Sequence, residues 1–150
     1  MTKKLPYTPA ILMKRALVVD DEGPIRNLLA AMLRRERIPT DTAGNGSEAI
    51  ELLTRNRYAC VVLDLMMPVM NGRDVIDAML RHQIPNVPVI VVTAAGESAT
   101  GDLEPEVVKL IIRKPFDVMR VIEAVRAFCA EEEDGTLDAD WPADSPHVPM

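Results

Sequence analysis

Four short runs of apolar residues that do not alternate with polar ones constrain the fold of this chain most. They read ALVV, CVVL, VIVV and LII in chain order. Uninterrupted runs of this length are typical of parallel strands that are buried on both faces of a sheet. Segments with apolar residues at helical spacing separate most of them. Strands that alternate with helices predict crossover connections and one parallel sheet, so the fold class is α/β.

Apolar spacing and turn residues predict where the strands and helices lie. We expect strands at residues 14–20, 40–43, 58–64, 87–93 and 107–112. Gly23 and Pro24 begin the first helix, which must end before Pro39. Ser47 is a candidate cap of the second helix, and Asp117 is the expected cap of the last one.

The segment between the fourth and fifth strands departs from this alternation. Gly96, Gly101 and Pro105 interrupt it, and its few apolar residues do not share one helical face. Glycine and proline both disfavour the interior of a helix. We therefore expect a short or distorted fourth helix in this segment, or a loop.

Length and charge distribution bound the domain organisation. A chain of 150 residues has room for one domain. We expect it at 14–130, between a flexible leader at 1–13 and an acidic disordered tail at 131–150. The tail holds seven acidic residues and no Lys or Arg, so it accounts for the net charge of −6. The rest of the chain is nearly neutral, and we therefore expect no nucleic-acid partner.

Cysteine content and hydropathy indicate the compartment. Cys60 and Cys129 lie in apolar segments and lack the spacing of a disulfide framework or a zinc site. No apolar run is long enough for a signal peptide or a membrane span. We expect a cytoplasmic protein without a membrane partner.

Polar residues follow the apolar strands, and this pattern predicts a chemical site. They supply three carboxylates, one hydroxyl and one ammonium, from Asp20, Asp21, Asp64, Thr93 and Lys114. Parallel sheets of this kind bind ligands at the carboxyl ends of their strands. We therefore expect these five side chains to meet at one edge of the sheet.

The chemistry of these groups favours phosphoryl transfer with a bound metal ion. Neighbouring carboxylates repel one another unless a cation lies among them, and oxygen ligands without His or Cys favour Mg²⁺ over zinc. Asp64 can then attack a phosphoryl group and form an acyl phosphate. Mg²⁺, Lys114 and Thr93 would neutralise the charge on the phosphoryl oxygens. The small residues Ala94 and Ala95 leave a route open for the phosphoryl donor.

Five segments of the chain resemble the bacterial response-regulator receiver domain. They are ALVVDDE, TAGNGSEA, VVLDLMMPVMNG, VIVVTA and KPF, and they stand in the same order as in that family. The resemblance covers about residues 14–130. It implies a doubly wound, flavodoxin-like sheet of five parallel strands in the order 2-1-3-4-5, with helices on both faces.

The resemblance also implies a role for each residue of the metal site. Asp64 is the implied phospho-acceptor. Asp21 and Asp64 bind Mg²⁺ directly, together with the backbone carbonyl of Met66, and Asp20 binds it through water.

Other implied features concern the phosphoryl group and its donor. Thr93 and Lys114 contact the phosphoryl oxygens, and the bond between Lys114 and Pro115 is cis. The donor is a histidine kinase, a histidine phosphotransfer protein or a small phosphodonor. The chain is then a stand-alone receiver without catalytic turnover, which serves as a phosphorylation-controlled interaction switch or a phosphorelay intermediate with an unknown downstream target.

One position departs from the family. Most receivers have an aromatic residue three positions before the strand-five lysine, and its rotation reports phosphorylation, whereas this chain has Ile111. An aliphatic side chain cannot make that movement with a polar tip. We therefore expect an altered readout, with the segment from Ala94 to Pro105 as the mobile element.

Three alternatives remain at this stage. A degenerate receiver would bind partners without phosphorylation. A haloacid-dehalogenase-type phosphatase also uses a strand-end Asp with Mg²⁺, but it needs a second Asp where this chain has Met66. A flavodoxin-like FMN binder needs a phosphate loop after the first strand, where this chain has the acidic turn Asp20-Asp21-Glu22.

Overall fold

A five-stranded parallel sheet forms the centre of the computed structural model, which describes residues 15–82, 84 and 87–133. Its strands are β1 (Ala16–Val19), β2 (Thr40–Ala43), β3 (Cys60–Leu63), β4 (Val89–Thr93) and β5 (Val108–Arg113). They lie in the order β2-β1-β3-β4-β5, and every neighbouring pair is parallel. This arrangement confirms the predicted α/β class and the flavodoxin-like strand order.

Within the described residues, four helices connect the strands and a fifth follows β5. They are α1 (Gly23–Arg35), α2 (Gly46–Arg55), α3 (Gly72–Arg81), α4 (Glu97–Thr100) and α5 (Val118–Glu133). Helix α4 has only four residues, which confirms the prediction of a short fourth helix. Helix α5 continues three residues beyond Ala130, where we expected the domain to end. The predicted leader at 1–13 and residues 134–150 of the predicted tail lie outside the described residues.

The strands are shorter than predicted at the site edge. Asp20 and Asp64 follow β1 and β3 instead of belonging to them. Each carboxylate accepts a hydrogen bond from the backbone N–H two residues ahead, at Glu22 and Met66 respectively. Such local bonds form a turn and end the extended backbone.

The helix starts test the predicted caps. Asn45 caps α2, because its side chain accepts a hydrogen bond from the backbone N–H of Glu48 at 2.8 Å. The prediction of Ser47 was wrong, since Ser47 already lies inside the helix. Asp117 does cap α5 and accepts a bond from the backbone N–H of Met119 at 2.9 Å.

The strands are apolar throughout because helices cover both faces of the sheet. Leu17 and Val19 of β1 belong to one core, which α2 and α3 cover. Ala16 and Val18 belong to the opposite core, which α1 and α5 cover. Burying one Val or Leu side chain contributes about 1.5–3 kcal/mol. Among the described helices, none combines the length and the apolar character that a bilayer crossing requires.

Candidate functional site

The sheet register brings the polar residues to one edge. Val19 of β1 lies opposite Leu63 of β3, so Asp20 and Asp64 leave the sheet side by side. At the same edge of the sheet, where β4 and β5 end, the backbone N–H of Lys114 donates to the carbonyl of Thr93 at 2.9 Å. Groups that are far apart in the sequence therefore meet at the carboxyl ends of β1, β3, β4 and β5.

Three carboxylates form a cluster at this edge. One carboxylate oxygen from each of Asp20, Asp21 and Asp64 lies within 4.8 Å of the other two. Asp20 and Asp64 are buried, whereas Asp21 is exposed. Oxygen ligands at this spacing fit a hard divalent cation such as Mg²⁺, which also keeps water ligands on its open side. The spacing and the ligand type of the cluster are therefore compatible with a bound Mg²⁺ ion.

Lys114 supplies the positive charge of the site. Its Nζ lies 3.3 Å from Oδ2 of Asp64, 3.4 Å from Oδ2 of Asp20 and 3.1 Å from Oε1 of Glu22. Partial burial alone would lower the pKa of Lys114, but the hydrogen bond to Glu22 and the charges of Asp64 and Asp20 outweigh burial and raise it. The ammonium is therefore charged at neutral pH.

The environment of Asp64 raises the pKa of its carboxyl group. Burial is the main cause, and the charge of Asp20 adds to it. The backbone N–H of Met66 and the ammonium of Lys114 act in the opposite direction without cancelling the effect. A nearby cation stabilises the charged form of a carboxylate that is buried beside a second carboxylate. A bound metal ion would supply that positive charge.

Thr93 ends β4 and is fully buried. Its Oγ1 accepts a hydrogen bond from the backbone N–H of Ala95 at 3.0 Å. The hydroxyl proton remains available for an acceptor, because a hydroxyl group donates one bond and accepts two. The predicted contact between Thr93 and a phosphoryl oxygen stays a prediction, as does the metal contact of the Met66 carbonyl.

Sequence reasoning missed two residues that support the site. Glu22 pairs with Lys114 as described above, and Arg26 of α1 donates from its guanidinium to the backbone carbonyl of Asp20 at 2.8 Å. The position of Glu22 directly after the two aspartates was the available signal. Arg26 gave none, because a long side chain can reach many acceptors and only the folded chain selects one.

The loop between β3 and α3 packs tightly beneath the acceptor aspartate. A Cβ atom on Gly72 would lie 2.4 Å from the carbonyl oxygen of Asp64 and 2.7 Å from the Cα of Leu65. Only glycine allows this approach, which brings the start of α3 against the backbone of Asp64. Val69 in the same loop is fully exposed and has a φ of 67°.

An apolar groove leads to Lys114. It encloses about 510 Å³ between α1 and the β5–α5 connection, and its walls include Ile25, Leu28, Ala94 and Phe116. Ala94 is exposed, which agrees with the expected open route beside Thr93. The peptide bond between Lys114 and Pro115, next to this groove, is cis as predicted.

Comparison with known proteins gives concordant matches. The family model of the response regulator receiver domain matches residues 16–126. The transcriptional regulatory protein SrrA of Staphylococcus aureus is 38% identical over 128 residues. That match covers 84% of this chain and 52% of SrrA, so the chain spans about half the length of this relative.

Two solved structures extend the comparison. The response regulator TrrA of Thermotoga maritima, in complex with Mg²⁺ and BeF, is 34% identical with a TM-score of 0.67. That match covers 77% of this chain and 99% of the TrrA chain. A CheY-like receiver domain protein of Methanospirillum hungatei is 29% identical with a TM-score of 0.72, over 81% of this chain and 98% of its own.

Proposed function

Because the chain belongs to the response regulator receiver domain family, we propose that it accepts a phosphoryl group on Asp64 in a Mg²⁺-dependent reaction. The observation that carries this proposal is the meeting of Asp64 with two further carboxylates and the ammonium of Lys114. A histidine kinase or a histidine phosphotransfer protein is the proposed donor, as the family implies.

The proposed transfer needs one nucleophile and a set of charge-neutralising groups. One carboxylate oxygen of Asp64 attacks the phosphorus atom, and the bond from phosphorus to the imidazole nitrogen of the donor breaks. The imidazole leaves with that electron pair, and an acyl phosphate remains on Asp64. Lys114 and the Thr93 hydroxyl stabilise the charge on the phosphoryl oxygens.

Asp21, Asp64 and the carbonyl of Met66 are the proposed direct ligands of the metal, and Asp20 would hold it through water. Bound Mg²⁺ supplies positive charge that neutralises the carboxylates and the phosphoryl oxygens. The spacing of the three carboxylates supports this assignment. The Mg²⁺-containing TrrA structure, from a chain that is 34% identical, supports it independently.

We propose a signalling role without catalytic turnover. A phosphatase of the haloacid-dehalogenase type is disfavoured because Met66 stands where its second Asp is required. An FMN phosphate is disfavoured because Asp20, Asp21 and Glu22 present negative charge after β1. The phosphorylated chain would then act as an interaction switch or as a phosphorelay intermediate in the cytoplasm.

The absence of nucleic-acid binding remains a prediction that concerns the receiver domain. The near-neutral charge of residues 1–130 supports it. SrrA, which is about twice as long as the matched region, is a transcriptional regulatory protein, so a longer relative can serve gene regulation. The stand-alone arrangement and the downstream target also remain predictions.

Phosphorylation followed by intact mass measurement tests the proposal. Acetyl phosphate with Mg²⁺ should add one phosphoryl group to the wild type and none to Asp64→Ala. Asp77→Asn is the matched control, because Asp77 is an exposed acid on α3. Labelling that persists in Asp64→Ala would overturn the assignment of the acceptor. An unlabelled wild type beside a labelled control receiver would favour the degenerate receiver.

A further inference from the structure

Helix α4 is too short to be stable by itself. It spans only Glu97–Thr100, and Gly96 before it offers no side-chain cap. The first turn of a helix fixes several backbone angles for one hydrogen bond, so a single turn does not persist alone in water. Contacts from other elements must therefore hold α4 in place.

Packing against β5 provides only part of this support. A cavity of about 690 Å³ lies between α4, the segment that follows it and β5, with Thr100, Leu103, Val108 and Ile111 among its walls. This cavity is open to solvent, so the side chains along it are not packed against α4 on that side. Polar contacts therefore add to the attachment of α4.

Arg113, the last residue of β5, holds both ends of α4. Its guanidinium donates one hydrogen bond to the carbonyl of Ala95 and another to Oγ1 of Thr100 at 2.9 Å. Ala95 precedes the helix and Thr100 is its last residue, buried against the domain. The planar guanidinium fixes the geometry of two acceptors at once, which a lysine ammonium does less well.

The same peptide segment connects Arg113 to the site. Ala95 donates its N–H to Oγ1 of Thr93 and accepts from Arg113 with its carbonyl. Thr93 and Arg113 also lie opposite each other in the β4–β5 ladder. We infer that Arg113 is a positioning residue that couples the hydroxyl of Thr93 to helix α4.

This coupling rests on the proposed function, because a phosphoryl group on Asp64 gives the Thr93 hydroxyl a new acceptor. Movement of Thr93 toward that acceptor alters the bond from Ala95, and Arg113 carries the change to Thr100. Ile111, which is half-buried against the core, has no polar atom for this task. The readout therefore passes through the end of β5 instead of through residue 111.

Arg73 of α3 provides the matched control. Its guanidinium donates to the carbonyl of Ala99 and to the carboxylate of Asp102, and the contact with Asp102 measures 2.8 Å. Arg73 thus also holds α4, but its contacts do not include Ala95. Loss of Arg73 should loosen the helix without cutting the connection to Thr93.

Hydrogen exchange of the full chain, with and without the phosphoryl mimic beryllofluoride and Mg²⁺, tests the inference. In the wild type we expect the exchange rates of amides 95–101 to change about fivefold, the effect of one hydrogen bond on local opening. Arg113→Ala should reduce this response below about twofold, whereas Arg73→Ala should keep it. Acetyl phosphate should add one phosphoryl group to each of the three proteins, because all of them keep Asp64. Arg113→Gln replaces Arg113→Ala if the latter does not fold.

The outcomes separate this inference from the proposed function. A wild type that takes up no phosphoryl group contradicts the proposed function. A labelled wild type without an exchange response at 95–101 overturns the role of Arg113 alone. The same holds if the Arg113 variants respond like the wild type, or if Arg73→Ala loses the response to the same extent.

Discussion

At the scale of single residues, Val69 is a β-branched residue with a positive φ. A φ of 67° is unfavourable for a β-branched side chain and costs about 1–2 kcal/mol, whereas glycine adopts it freely. The side chain is fully exposed, so its removal leaves no cavity. Strain here is thus not offset by packing of the side chain.

Val69→Gly should therefore stabilise the protein by about 1 kcal/mol, after the entropy cost of glycine is subtracted. Urea unfolding measures the change. Glu104→Gly is the comparison, because Glu104 is exposed and its φ is not positive, so glycine should destabilise there. Equal destabilisation at both positions would contradict the role of backbone strain.

The environment of Tyr58 makes the free energy of unfolding depend on pH in the alkaline range. It is buried, and its hydroxyl donates to Oδ2 of Asp41 at 2.7 Å. Burial, followed by the hydrogen bond and the charge of Asp41, raises the pKa of Tyr58 above its usual value near 10. The unfolded chain thus loses this proton at a lower pH than the folded chain does.

Because the pKa is raised in the folded state, the contribution of Tyr58 to the free energy of unfolding is fully present below pH ~10. This contribution falls as the pH rises above that value. The slope contributed by one group is at most about 1.4 kcal/mol per pH unit. Tyr58→Phe lacks this titration, so its stability should fall less than that of the wild type between pH ~9.5 and ~11. Urea unfolding across this range gives the comparison, and parallel losses would refute the expectation.

At the scale of elements, the start of α2 allows a test with a built-in control. Asn45 accepts from the N–H of Glu48, whereas exposed Ser47 lies inside the helix. Asn45→Ala should lower the free energy of unfolding by about 1 kcal/mol, and Ser47→Ala should change it by less than about 0.5 kcal/mol. Thermal or urea unfolding distinguishes the two. The reverse ranking would restore Ser47 as the cap.

The start of α2 shows how far the sequence predicts the elements and the site. Apolar runs identified four of the five strands and, through the polar residues that follow them, the positions of Asp64, Thr93 and Lys114. Strand β2 reads TDTA and has no such run, so it was predicted from its place between Pro39 and the second helix. The cap was misplaced by two residues because both Asn and Ser suit this role, and tertiary packing decides which backbone N–H groups are free. Arg26 and Arg113 were missed because only folding brings their acceptors close, which are the backbone carbonyls of Asp20 and Ala95 and the hydroxyl of Thr100.

At the scale of the whole molecule, binding of Mg²⁺ at the carboxylate cluster would increase stability. An ion that binds only the folded chain stabilises it by about 2.7 kcal/mol at a concentration of 100 times its Kd. Mg²⁺ should therefore raise the melting temperature, and EDTA should reverse the shift. Asp21→Asn should weaken the shift because it removes the exposed ligand of the cluster.

Two controls make this measurement specific. Asp77→Asn removes an exposed acid on α3 away from the cluster and should keep the full shift. NaCl at matched ionic strength should not reproduce it, because screening acts on all exposed charges alike. An equal Mg²⁺ shift in Asp21→Asn and the wild type would contradict the assignment of the metal ligands.

The position of β5 at the edge of the sheet separates the positive charge of the site from the strands that carry its negative charges. Lys114 follows a strand that pairs only with β4, whereas the three aspartates follow β1 and β3 in the sheet interior. A partly folded chain with β1 and β3 in place but β5 detached gathers negative charge without its intrinsic counter-charge. Pairing of β5 with β4 therefore brings to the site the charge that relieves this repulsion.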